Sequence, residues 1–122
     1  MYVIVLRQNF INQTMLFSLM RICICCSKKY FPVIKEFLDN LNDCKNEFFT
    51  PTLNFNGEVT ENSRKNLAEA HHKKITGCDA IYVYNPDNEI GKNTTLEMGY
   101  ALALNKKIFA LKKVGDLGID CF

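Results

Sequence analysis

The chain has 122 residues, 48% hydrophobic and 23% charged, which suits one globular domain and excludes a disordered or collagen-like chain. Lys and Arg number 15 against 13 Asp and Glu, a net charge of +2, so composition carries no footprint of polymeric nucleic acid. No apolar run approaches the ~18 residues that a membrane-spanning helix needs, and no membrane partner is expected.

The charge is unevenly spread. Residues 1–20 hold one charged residue, Arg7, and 13 apolar residues. Three readings apply to this stretch. Its apolar runs are short, Arg7 and Asn12 interrupt them, and no small-residue cleavage site follows, which argues against a signal peptide. Tyr2-Val3-Ile4-Val5-Leu6 is apolar and β-branched enough for an extra edge strand. The third reading takes Met20 as the start of the domain, because Met20-Arg21-Ile22-Cys23-Ile24-Cys25 resembles the opening of an α/β unit. The expectation is an appended segment at 1–19 followed by a single domain at 20–122.

From Met20 onward the elements alternate. Arg21–Cys26 is short, apolar and β-compatible, and is predicted as a buried strand. Ser27-Lys28-Lys29 is a polar turn, and Pro32 suits the first turn of a helix whose apolar Val33, Ile34, Phe37, Leu38 and Leu41 carry it to about Cys44. Glu47–Thr50 is predicted as a second strand stopped by Pro51, and Asn54–Gly57 as a loop. A surface helix is predicted from Thr60 to Ile75, ended by Gly77 in a left-handed conformation. Asp79–Tyr84 is the third strand, Asn85–Asn93 a polar loop, Thr94–Asn105 the third helix and Lys107–Leu111 the fourth strand, followed by a tail at 116–122.

Strands alternating with helices imply a flavodoxin-like or Rossmann-like three-layer α/β domain with a parallel sheet of four or five strands. Ligands of such sheets bind beyond the carboxyl ends of the strands, which directs attention to Ser27–Tyr30, Thr50–Asn56 and Asn85–Glu97.

Six cysteines are irregularly spaced at 23, 25, 26, 44, 78 and 121. Cys23 and Cys26 form a formal C-x-x-C that His71-His72 could complete as a zinc set, but a zinc knuckle places its cysteines on a turn and these fall in a strand. Small buried hydrophobes in a reducing, cytoplasmic compartment are the expected role, with no metal and no cofactor.

The stretch Asn85–Ala101 carries most information. Gly91 lets backbone approach a ligand, and the following helix N-terminus suits a phosphate, with Asn93, Thr94 and Thr95 adding donors. Glu97 is placed in the first turn of that helix. Thr94-Thr95-Leu96-Glu97 also has the spacing of a capping box, in which Glu97 reaches back to the N-cap amide. Gly99, Ala101 and Ala103 suggest close packing of helix on sheet.

Asp79-Ala80-Ile81-Tyr82-Val83-Tyr84-Asn85-Pro86-Asp87, then Ile90-Gly91, then Glu97-Met98-Gly99-Tyr100-Ala101-Leu102-Ala103-Leu104-Asn105-Lys106-Lys107-Ile108-Phe109 resembles the nucleoside 2-deoxyribosyltransferase family, which includes deoxynucleoside 5′-monophosphate N-glycosidase-like members. The resemblance spans about Met20–Leu111 and is specific over Asp79–Leu111. It implies that Glu97 is a nucleophile attacking the anomeric carbon of a 2′-deoxynucleoside or its 5′-monophosphate, leaving a covalent deoxyribosyl-glutamate that a base or water then resolves. A second acid is expected for the leaving base, with Asp79, Asp87 and Glu89 as candidates. Tyr30 is the candidate for orienting Glu97, Ser27 for binding sugar or phosphate, and Asn85, Asp87, Gly91, Asn93 and Thr94 complete the expected substrate site. Each has a structural alternative: capping or strand entry for Asp79, helix packing for Tyr30, a turn cap for Ser27 and a solvated loop charge for Glu89. The resemblance also implies a homodimer or higher oligomer.

Three departures from the family pattern stand out, one being Lys92-Asn93-Thr94-Thr95 before Glu97, richer in donors than the family's glycine-rich loop. Cys26-Ser27-Lys28-Lys29 lacks the glycine usual in the family's first loop, and the chain ends soon after the fourth strand, where the family has a further strand and helix. Besides the enzyme, a nucleotide-binding sensor on the same fold and an N-glycosidase acting on another ribosylated ligand, such as a cytokinin-type nucleotide or a dinucleotide, are alternative functions.

Overall fold

The computed structural model describes residues 3–5, 20–40 and 46–120; for residues 3–5 it describes the backbone. The elements are β1 (Val3–Val5), β2 (Arg21–Cys25), a 3-10 turn (Lys28–Tyr30), α1 (Phe31–Asp39), β3 (Glu47–Phe49), α2 (Glu61–Thr76), β4 (Ala80–Val83), α3 (Lys92–Ala103), β5 (Lys107–Ala110) and the short α4 (Leu117–Asp120). The predicted continuation of α1 to Cys44 and the last two residues of the tail lie outside the described residues.

All strand pairs are parallel, in the order β1-β5-β4-β2-β3. β2 lies between β3 and β4, with Cys23 opposite both Phe49 and Ile81. After β3 the chain crosses β2 to add β4 and then β5, the doubly wound arrangement whose direction reverses at β2 and β4. β1 pairs with the outer side of β5, Val3 opposite Ile108 and Val5 opposite Ala110. The sheet position beyond the fourth strand of the domain is thus held by a strand from the N-terminal segment.

Period-two alternation in β2 divides the core. Ile22, Ile24 and Cys26 face α1, packing with Ile34, Phe37, Ala80, Tyr82 and Phe109. Cys23 and Cys25 face the opposite layer with Ile75 of α2 and Met98 and Ala101 of α3. Each fully buried aliphatic side chain contributes ~1.5–3 kcal/mol relative to exposure, so both layers are held mainly by this burial.

Several local expectations are corrected. Gly77 closes α2 at φ −80°, a right-handed conformation, so no left-handed glycine is required there. The capping box of this half of the chain belongs to α2, where Thr60 and Ser63 exchange side-chain-to-backbone hydrogen bonds. α3 starts two residues earlier than predicted: Gly91 is its N-cap, in extended geometry, and the Thr95 N–H donates to the Gly91 carbonyl at 3.0 Å. Thr94 is therefore inside the helix, Glu97 is in its second turn, and the Thr94–Glu97 capping box does not form. Gly99 is not a packing glycine either, since a Cβ there would meet nothing within 4 Å; fully buried Ala101 makes the close contact with the sheet.

Candidate functional site

Beyond the carboxyl ends of β2, β3 and β4 lies a cleft of about 730 Å³. Cys26, Ser27 and Lys28 line it from the end of β2, and Pro51 and Thr52 from the end of β3. α2 contributes Arg64, Leu67, Ala68, His71 and His72, and the N-terminal half of α3 contributes Gly91–Thr94, Leu96 and Glu97. Gly91 has a steric role at this point, because a Cβ on it would stand 3.1 Å from Ser27 Oγ. The two loops of the topological switch point meet there.

Four groups from three elements cluster where His71 and Glu97 line the cleft, with two thiols buried behind them. Cys23 and Cys25 are i, i+2 on one face of β2 and fully buried. His71, 5% exposed, lies one helical turn before buried Ile75 on the inner face of α2. Glu97 projects from α3 with its side chain 15% exposed. His71 Nε2 is 3.6 Å from Cys25 Sγ, 3.8 Å from Cys23 Sγ and 3.6 Å from Glu97 Oε2.

The protonation of each group follows from its neighbours. Burial raises the Glu97 carboxyl above its usual range, and the charge of His71 and a hydrogen bond with Cys25 only partly oppose this. Burial pulls His71 down, but the hydrogen bond and charge of Cys23 and the charge of Glu97 outweigh it, so its net shift is upward. The hydrogen bond with Cys25 brings the Cys23 thiol down to about 5, against burial and with help from His71. Burial pushes Cys25 well up, reinforced by Cys23 and Glu97.

The rim has the opposite character. Lys28, Arg64, Lys65 and Lys92 line the cleft, and Glu97 is the sole carboxylate among its described lining residues. No side chain caps the N-terminus of α3, which opens here. Backbone N–H groups and cations thus face the same space, an arrangement that attracts anions.

The structure brings together part of the expected set. Glu97, Ser27, Gly91, Asn93 and Thr94 all line the cleft. Asp79 does not: it sits at the opposite, entry end of the sheet, where its carboxylate accepts from the Arg21 N–H at 2.9 Å. Glu89 is exposed in the loop before α3 and is not among the lining residues. Asp87 pairs with Lys29 at 2.6 Å, which holds its carboxyl well below the usual range. Tyr30 packs edge-on against Tyr84 with ring centroids 5.4 Å apart, rather than against Glu97. Asn85 is fully buried and clamps the strand ends, donating to the Lys112 carbonyl and accepting from the Lys112 N–H.

His71, Arg64 and Lys65 were not expected as site residues of the cleft. The signal for His71 was present: Leu67, His71 and Ile75 recur at i, i+4 and i+8, the spacing of one helix face. The alternation of β2 likewise joins Cys23 to Cys25, not to Cys26 as C-x-x-C spacing suggests.

No protein-family model matches this sequence, and comparison with curated proteins returns no match. The site therefore stands on its geometry. A buried polar cluster opening on a cationic cleft at the switch point of a parallel sheet has the character of a functional site. No helix among the described residues is long and apolar enough to cross a membrane.

Proposed function

We propose that the cleft cleaves the N-glycosidic bond of a 2′-deoxynucleoside, preferentially as its 5′-monophosphate, in the manner of the nucleoside 2-deoxyribosyltransferases that the Asp79–Leu111 stretch resembles. The observation that carries this reading is Glu97: one partly exposed carboxylate in a cleft whose other charged side chains are cationic or imidazole.

In this mechanism the Glu97 carboxylate oxygen attacks C1′ of the sugar. The C1′–N bond breaks with its electron pair passing to the base, which takes up a proton. Water or a second base then attacks C1′ and releases Glu97. The transition state is oxocarbenium-like, and a 2-deoxy sugar suits it because no electron-withdrawing hydroxyl opposes the developing charge. The uncapped end of α3, with Arg64 and Lys92, supports the choice of a phosphorylated substrate. With Asp79 and Glu89 outside the cleft, His71 and His72 are the cleft groups suited to handing a proton to the leaving base.

Incubation with deoxynucleosides and their 5′-monophosphates, with and without acceptor bases, tests this by chromatography of free base. Base release by the wild type, lost in Glu97→Ala, is expected. Nucleotide binding with no release would replace the enzyme by a sensor. A 2-fluoro substrate analogue should leave its sugar on Glu97 by mass spectrometry, and an adduct elsewhere would overturn the assignment.

A further inference from the structure

Ile22 and Ile24 occupy one face of β2, whereas the other face presents two thiols to an imidazole. Ligand atoms of Cys23, Cys25 and His71 all lie within 4.8 Å of one another. Tetrahedral zinc, with bonds of ~2.3 Å to sulfur and ~2.0 Å to nitrogen or oxygen, spaces its ligand atoms by roughly 3.3–3.8 Å. The three distances from His71 Nε2, to the two sulfurs and to Glu97 Oε2, are 3.8, 3.6 and 3.6 Å. The two 3.6 Å separations match edges of such a tetrahedron, whereas Cys23 Sγ is also 4.0 Å from Nδ1, so the imidazole turns on binding to aim Nε2 between the two sulfurs.

We infer that Cys23, Cys25 and His71, with Glu97 in the fourth position, bind a thiophilic divalent ion of the zinc type. Two sulfurs, one imidazole nitrogen and one carboxylate oxygen suit tetrahedral zinc rather than magnesium or calcium, which take oxygen ligands. The charge also suits burial. A dication offsets two thiolates, and the field of the Lys74 ammonium also reaches Cys23. Entry is through the cleft, since His71 and Glu97 line it. Binding is not a redox step: each thiol loses its proton to solvent as its sulfur bonds the ion, and His71 binds as neutral imidazole. The pair that binds is the C-x-C of a strand, a spacing in which alternation points both sulfurs the same way.

The inference does not rest on the glycosidic reading. Where both hold, the ion withdraws Glu97 from attack, and the metal-loaded protein is the inactive form.

The test uses the full chain, stripped of metal under reducing conditions and titrated with cobalt(II). One equivalent should produce thiolate-to-cobalt charge transfer and the intense visible bands of a tetrahedral centre, both bleached by zinc. X-ray absorption of the zinc-loaded chain should show two sulfur and two nitrogen or oxygen neighbours. Cys26→Ser and Cys78→Ser should leave these spectra unchanged, and Cys25→Ser should remove one sulfur. Glu97→Gln should weaken zinc binding about 10- to 100-fold while keeping both sulfurs. Absence of the tetrahedral cobalt spectrum, a shell without sulfur, or a third sulfur would overturn the site. The wild-type absorption spectrum decides the matter even if Cys25→Ser does not fold.

Discussion

The two faces of β2 are built from neighbouring residues and do different work. Ile22 and Ile24 enter an apolar layer with Ile34, Phe37 and Phe109, where shape and burial are the demands. Cys23 and Cys25, one position out of phase, enter a layer that contains His71 and opens through Glu97 to the cleft. The difference shows how a thin strand can keep its structural and chemical tasks apart. Burial anchors both faces, and on the second it also holds polar groups at fixed distances.

Substitutions on the two sides of the sheet should break this division if it is wrong. The largest effect is expected at Glu97, where replacement by Gln should lower base release by about 10³-fold, equivalent to ~4 kcal/mol in the barrier. Its denaturation midpoint should stay close to wild type, because the substitution keeps the shape and removes a charge disfavoured by burial. Ile34→Ala should do the reverse. It should cost ~2–5 kcal/mol in urea denaturation by opening a cavity in the apolar layer, while the protein still folded retains the cobalt spectrum.

The thiol face should also carry a pH response of its own. The Cys23 thiolate should be detected by ultraviolet absorbance as the pH rises through about 5, instead of near the ordinary 9.0. Its pKa is lowered on folding, so its contribution to stability is complete above pH 9.0 and is lost as the pH falls through about 5. His71→Ala should move this titration upward, because the imidazole is one of the groups stabilising the thiolate. A titration that does not move would detach His71 from the cluster. The smallest effect sharpens the comparison at its edge. Gly99→Ala, with open space for its Cβ, should stabilise the chain by ~0.5–1 kcal/mol in thermal or urea melts and leave base release intact.

Much of the architecture is legible because it depends on local rules. Alternating apolar strands and amphipathic helices specify a parallel α/β sheet, and the elements from β2 to β5, the C-terminal end of α1 apart, lie within a few residues of their predicted bounds. Glu97 is legible as the leading site residue, but its setting is not. The Thr94–Glu97 spacing describes a capping box, yet Gly91 takes the cap and a two-residue shift of the helix start turns Glu97 toward His71. Asp79 and Glu97 both belong to the stretch that resembles one motif, but a strand separates them, so one lies at the entry end of the sheet and the other in the cleft.

Periodicity and chain order are enough to specify the class of fold, the end of the sheet where the cleft lies, and the carboxylate to examine. Which groups share that carboxylate's surroundings depends on packing between distant segments. Cys23, His71 and Glu97 are far apart in the chain and meet because α2 and α3 pack on one face of β2. The place of β1 beside β5 was decided in the same way, by pairing between segments about a hundred residues apart, which no local pattern encodes.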